Sequence, residues 1–124
     1  MMRLLRTIVL LVAGITVMTG LAQMIAPAPM LALVGAQPSD SMAHLFATVG
    51  MFMMLFGGGV LQAELGSGAA GPVPLLATLQ KIGAAVLVAL GVARGVFGSL
   101  ALVVAAFDAL SAACMAAYFL KKRR

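Results

Sequence analysis

The sequence predicts an all-α fold, an antiparallel four-helix transmembrane bundle, on three observations. Four apolar stretches reach or approach the roughly 20 residues that a helix needs to cross hydrocarbon. The 124-residue chain is 64% apolar and 9% charged, with a mean hydropathy of +1.18. That leaves too little polar surface for a water-soluble domain, and a chain this short cannot bury so much apolar surface internally. Basic residues gather at the two ends, Arg3 and Arg6 ahead of the first stretch and Lys121, Lys122, Arg123 and Arg124 after the last. Their placement fits the positive-inside rule and contact with anionic headgroups, and it excludes nucleic acid as a partner.

The first stretch, residues 4–25, ends where Pro27 and Pro29 stop a helix. Residues 42–63 form the second, with Ser39, Asp40 and Ser41 offering N-cap groups. Gly66 to Pro74 is a break, its Gly-Ser-Gly suiting a short loop and its Pro-Val-Pro a first helical turn. Residues 75–97 and 99–120 form the third and fourth helices, joined by a tight turn at Gly95 to Ser99. Four crossings with basic ends place both termini on the cytoplasmic side of an inner membrane, with the Pro27 to Ser41 loop, free of Lys and Arg, facing outward. A secretory signal peptide is the rival reading of the first stretch, given its basic start and Ala26-Pro27-Ala28. The stretch is long for that purpose and prolines crowd the cleavage site, so a retained helix is expected.

Asp108 is the main lead to a site. It lies within the fourth stretch with no other charge between Gly95 and Leu120. A carboxylate near a bilayer centre costs about 2.5–3.5 kcal/mol on insertion scales, so it must face a partner or a cavity. Helical spacing puts it on one side with Ala101, Ala105, Ser111, Ala112 and Met115, small residues that suit close packing. In the third helix, Arg94 shares a small and polar face with Gln80, Gly83, Leu87 and Gly91, which predicts that Arg94 points inward. Lys81 shares its face with Ala85, Val88 and Val92, which predicts that it points outward and snorkels. In the second helix His44, Thr48, Met51, Leu55, Gly58 and Gln62 align, and in the first Thr16, Thr19, Gly20 and Gln23 do. Gln23, His44 and Arg94 fall within about two turns of the outer surface, and Asp108 is ~9 Å deeper than Arg94 if the turn centres on Gly98. The candidate intramembrane site is therefore Asp108 with Arg94 as its electrostatic partner, and His44, Gln23, Thr16 and Thr19 as neighbours.

Each of these residues also has a plain role. Threonines bond their own helix backbone, and His44 suits an interfacial first turn. Asp40 and Glu64 read as solvated loop acids. Asp108 is too deep and too short to snorkel, and it serves either as a buried tie that fixes helix register or as a proton or cation site. The single cysteine, Cys114, precludes an intramolecular disulfide and reads as a packing residue. One histidine cannot supply the usual multi-histidine metal set, H-E-x-x-H, G-x-S-x-G and C-x-x-C are absent, and the methionines Met51, Met53 and Met54 read as packing, so no metal, cofactor or catalytic set is expected.

The basic N-terminus, the proline break, His44-Leu45-Phe46 opening a glycine-rich helix, Arg94 closing the third helix and Phe107-Asp108 in the fourth together resemble small four-helix DoxX-like bacterial membrane proteins. The resemblance spans the chain. It implies an inner-membrane bundle, and since some members are associated with quinone-linked sulfur oxidation, it brings in a quinone-associated redox subunit as one functional expectation. Small multidrug transporters match in size and helix number, but the membrane-embedded glutamate of their first helix is lacking here. The leading expectation is a non-enzymatic membrane component that packs with a second copy or another membrane protein. The alternative is a small-solute or proton-coupled transporter or channel.

Overall fold

The computed structural model describes residues 1–66 and 71–123, all helices and connections. The elements are α1 (Met2–Ile25), α2 (Pro27–Leu33), α3 (Asp40–Leu65), α4 (Val73–Ala93) and α5 (Ala101–Arg123). Four of them, α1, α3, α4 and α5, are long and apolar enough to cross a membrane, the architecture of a multi-pass membrane protein. They form an antiparallel ring in which α1 packs on α3 and α5, and α4 packs on the same two helices. Chain start and chain end meet at one end of the ring, where Lys121 Nζ lies 3.6 Å from Met1 Sδ.

Proline and glycine set the boundaries. Pro27 opens α2 as well as ending α1, because the first turn of a helix needs no N–H from it. This short helix was not anticipated from a reading of the prolines as breakers. Gly35 and Gly95, with φ of 72° and 74°, supply the left-handed residue that closes α2 and α4. In each case two backbone bonds complete a Schellman motif, Ala36 N to Leu31 O and Gly35 N to Ala32 O in one, Val96 N to Gly91 O and Gly95 N to Val92 O in the other. The third long helix consequently ends at Ala93 and not at Phe97 as expected. The two loops at this end are joined by a bond of 2.8 Å from Gly98 N to Val34 O. At the N-terminus of α3 the Ser39 hydroxyl accepts from Met42 N at 3.2 Å. The expected Gly66 to Pro74 break falls partly on residues 67–70, which lie outside the described residues, as does Arg124.

Two kinds of packing hold the ring. The core of Val9, Val12, Ala13, Val60, Ala77, Met115 and Tyr118 fills the half nearer the chain ends. From Ala13 and Gly57 toward the opposite end, α1 and α3 meet backbone to backbone. A Cβ on Gly50 would lie 2.6 Å from Gly20 O and 2.7 Å from Gln23 Cβ, and one on Gly57 would lie 2.8 Å from Ala13 O. Ala13 and Gly20 on α1, and Gly50 and Gly57 on α3, each stand seven residues apart, so one small stripe meets another over two turns. Large apolar side chains such as Leu11, Phe52, Leu87 and Leu110 point away from the bundle, as lipid-facing residues do.

Gly50→Leu is expected to force α1 from α3 and cost about 1–3 kcal/mol, read as a lowered thermal midpoint in detergent. Gly58→Ala, where an added Cβ meets nothing within 4 Å, is expected to be neutral or stabilising. Equal effects of the two substitutions would contradict the close approach at Gly50.

Candidate functional site

Asp108 lies on the buried face of α5 together with Ala101, Ala105, Ser111, Ala112 and Met115, as its spacing predicts. Its partner is Lys81. The Lys81 ammonium donates to Asp108 Oδ1 at 2.9 Å, with side chains only 4% and 8% exposed. The ammonium also sits 5.3 Å from the centre of the Phe107 ring, whose face adds cation–π attraction. The small side chains of α5 leave room for the lysine's four-carbon stem to run along the helix interface to the acid.

This reverses the expected roles of Lys81 and Arg94. Lys81, and not Arg94, is the charged residue of α4 that turns into the bundle, although Gln80 of the expected Arg94 face does line its central void. Lys81 shares the buried face of α4 with Pro74, Ala77 and Thr78, whereas the Arg94 face carries Leu87, 69% exposed. Arg94 is the C-cap of α4 and is exposed, makes no ion pair among the described residues, and sits where a cation complements the carbonyl end of a helix. Its glycine neighbours Gly83 and Gly91 do not mark the side that faces the bundle.

The other candidates do not converge on Asp108. His44 is exposed at the start of α3, and its face, including Leu55 and Gln62, points away from the bundle because Gly50, Gly57, Val60 and Glu64 form the inner side. Thr16 is buried, with its hydroxyl donated to Val12 O at 2.8 Å. Thr19 is half-buried. Gln23 packs between α1 and α3, its Nε2 3.5 Å from Met53 Sδ and its buried Oε1 without a partner among the described residues. Where the four long helices meet, a void of about 10 Å³ is lined by Thr16, Gly57, Val60, Gln80, Lys81 and Met115 among others. It has the size of a single water site.

A second polar centre surrounds Glu64, which is buried and not a solvated loop acid as expected. Its carboxylate accepts from Tyr118 at 2.6 Å and Lys122 at 2.9 Å, with Arg6 Nε 3.5 Å away. Arg6 also donates to the Glu64 carbonyl at 3.0 Å, satisfying an oxygen left free by the end of α3. Tyr118 and Lys122, four residues apart, share one face of α5. Charge at this end of the ring carried the missing signal: antiparallel crossings bring Arg3, Arg6, Lys121, Lys122 and Arg123 to the end where Glu64 is the sole acid among the described residues. Hydrogen-bonded charges of this kind are worth about 1.5–3 kcal/mol each when partly buried.

Comparison of the chain with protein-family models, curated proteins and solved structures gives no match.

Asp108→Asn and Lys81→Met each leave one ionisable group of the pair without its counter-charge in the bundle, and each is expected to lower stability by about 3–5 kcal/mol. The double substitution Lys81→Met/Asp108→Leu removes both charges and is expected to recover most of the loss. Thermal or denaturant unfolding in detergent measures the coupling. Additive losses would mean that the two side chains act independently.

Proposed function

We propose that this chain is a non-enzymatic component of the bacterial inner membrane, a four-helix unit of the DoxX-like kind that assembles with a second copy or another membrane protein. The observation that carries this reading is the internal use of its buried charge. Lys81 is spent on Asp108, and Glu64 on Arg6, Tyr118 and Lys122. The space beside the first pair amounts to about one water. Such groups act as ties between helices, while the lipid-facing sides offer broad apolar area for lateral contact. The basic residues at the chain ends support cytoplasmic termini.

A proton-coupled transporter is the second reading, favoured by one feature, the central void that Lys81 and Thr16 both line. Intramembrane ionisable pairs beside water sites serve as proton relays elsewhere. The quinone-linked reading rests on resemblance alone.

Flux assays separate the two main readings. Proteoliposomes holding the protein and a pH-sensitive dye are expected to show proton flux no greater than empty liposomes, and Asp108→Asn is expected to change nothing. Flux that is present in the native chain and lost in Asp108→Asn would establish the transporter. Extraction in native nanodiscs is expected to yield an assembly larger than one chain, and a lone monomer would remove the case for a membrane component with a partner.

Orientation has its own measurement. In a Cys114→Ser background, an impermeant maleimide added to intact spheroplasts is expected to label Gln37→Cys and to spare Arg3→Cys and Arg123→Cys. The opposite pattern would place the termini outside.

A further inference from the structure

Against the outer side of the α4/α5 hairpin lies a groove of about 370 Å³, lined by Leu75, Leu79 and Ile82 of α4 and by Ala116, Phe119 and Leu120 of α5. Lys122 and Arg123 stand at the end of the groove nearest the chain termini. We propose that this groove is a binding site for one anionic phospholipid, with the phosphate held by Arg123 and Lys122 and an acyl chain lying along α4 toward Ile82. The proposal concerns a ligand of the membrane itself and does not depend on whether the chain is a scaffold or a transporter.

Polarity along the groove matches that of a lipid. From Pro74 to Ile82 the helix rises ~12 Å, close to the ~15 Å depth of one hydrocarbon leaflet, and of the side chains that line the groove over that distance, Pro74, Leu75, Thr78, Leu79 and Ile82, only Thr78 is polar. The Thr78 hydroxyl is already donated to Pro74 O at 2.8 Å, and Pro74 has no N–H, so neither residue offers a donor to a polar solute. The mouth is cationic. Lys122 spends one bond on Glu64 and is 48% exposed, leaving donors free. Arg123 is exposed and contributes a planar fork suited to phosphate.

Charge also selects the occupant. Lys122 shares Glu64 with Arg6, and Arg123 makes no ion pair among the described residues, a positive excess at the mouth that a zwitterionic headgroup would not neutralise. A second copy docked symmetrically through this groove would bring Lys122 and Arg123 against their own counterparts, a like-charge contact. Basic pockets between transmembrane helices at the cytoplasmic surface bind anionic headgroups by the same electrostatics.

The test is native mass spectrometry of delipidated protein titrated with phosphatidylglycerol or with phosphatidylcholine of identical acyl chains. The first phosphatidylglycerol is expected to bind at least fivefold more tightly than phosphatidylcholine. Arg123→Gln is expected to weaken it by roughly fivefold, the value of one basic residue near a headgroup. Leu79→Trp, which fills the groove from an outward-facing position, is expected to weaken both lipids, while Arg3→Gln and Leu110→Trp leave binding unchanged. Equal binding of the two lipids overturns the proposal. So does an equal loss in Arg3→Gln and Arg123→Gln, which would mark diffuse surface charge, or a protein dimer that Leu79→Trp dissociates, which would make the groove a contact between copies.

Discussion

The Lys81–Asp108 pair decides how the second half of the chain is arranged. Hydrocarbon offers neither charge a hydration shell, so each needs the other, and the contact at 2.9 Å sets the rotation and the axial register of α4 against α5. Other features of the hairpin follow from it. The face of α5 around Asp108 must be small, as Ala105, Ser111 and Ala112 are, because the lysine stem needs the space that larger residues would fill. The remaining faces of both helices are free to be apolar and irregular, since lipid tolerates any apolar surface. The ion pair gives orientation where hydrophobic burial cannot, because Leu buried in protein and Leu bathed in lipid are nearly equivalent.

The first half of the chain solves the same problem without charge. Ala13 and Gly20 on α1 and Gly50 and Gly57 on α3 bring two backbones together, so packing contacts over two turns replace the electrostatic tie. The two hairpins then join through the Val9, Val12, Val60, Ala77 and Met115 core. At the terminal end Glu64 of α3 gathers Arg6 of α1 with Tyr118 and Lys122 of α5. The polar ties lie at two levels and between them reach all four long helices. Only α5 takes part in both.

The spans, the burial of Asp108 and the small face around it were legible in the sequence, because length, hydropathy and helical period require no knowledge of the neighbours. The direction of each face of α4 was not. In a soluble helix the polar side is the solvent side and the period alone gives its direction. Here lipid takes the place of water, so both faces of α4 are mostly apolar, and the grouping of Lys81 with Val88 and Val92 was sound while its direction was open. Treating Gly83 and Gly91 as the packed side chose the wrong one. Depth compounded the error: placing the turn symmetrically about Gly98 kept Arg94 in the helix, whereas the Schellman closure at Gly95 leaves it at the end of α4. Glu64 was missed for a different reason. Hydropathy marked it as the end of a span, and its partners lie 58 and 54 residues away, visible only once the crossings are laid antiparallel.

The two ends of the bundle differ in kind, and that difference follows from what each is made of. At the loop end, Gly35 and Gly95 turn the chain and the backbone bond from Gly98 to Val34 joins the connections, with no charge involved. At the terminal end the joining is done by charged side chains half open to the surroundings, Arg6 and Lys122 being 48% exposed while the Glu64 side chain they meet is fully enclosed. A buried acid ringed by partly exposed cations is satisfied from within, yet the cations keep donors for an outside anion. The same arrangement that closes α1, α3 and α5 into a ring therefore leaves a positive rim at the mouth of the α4/α5 groove.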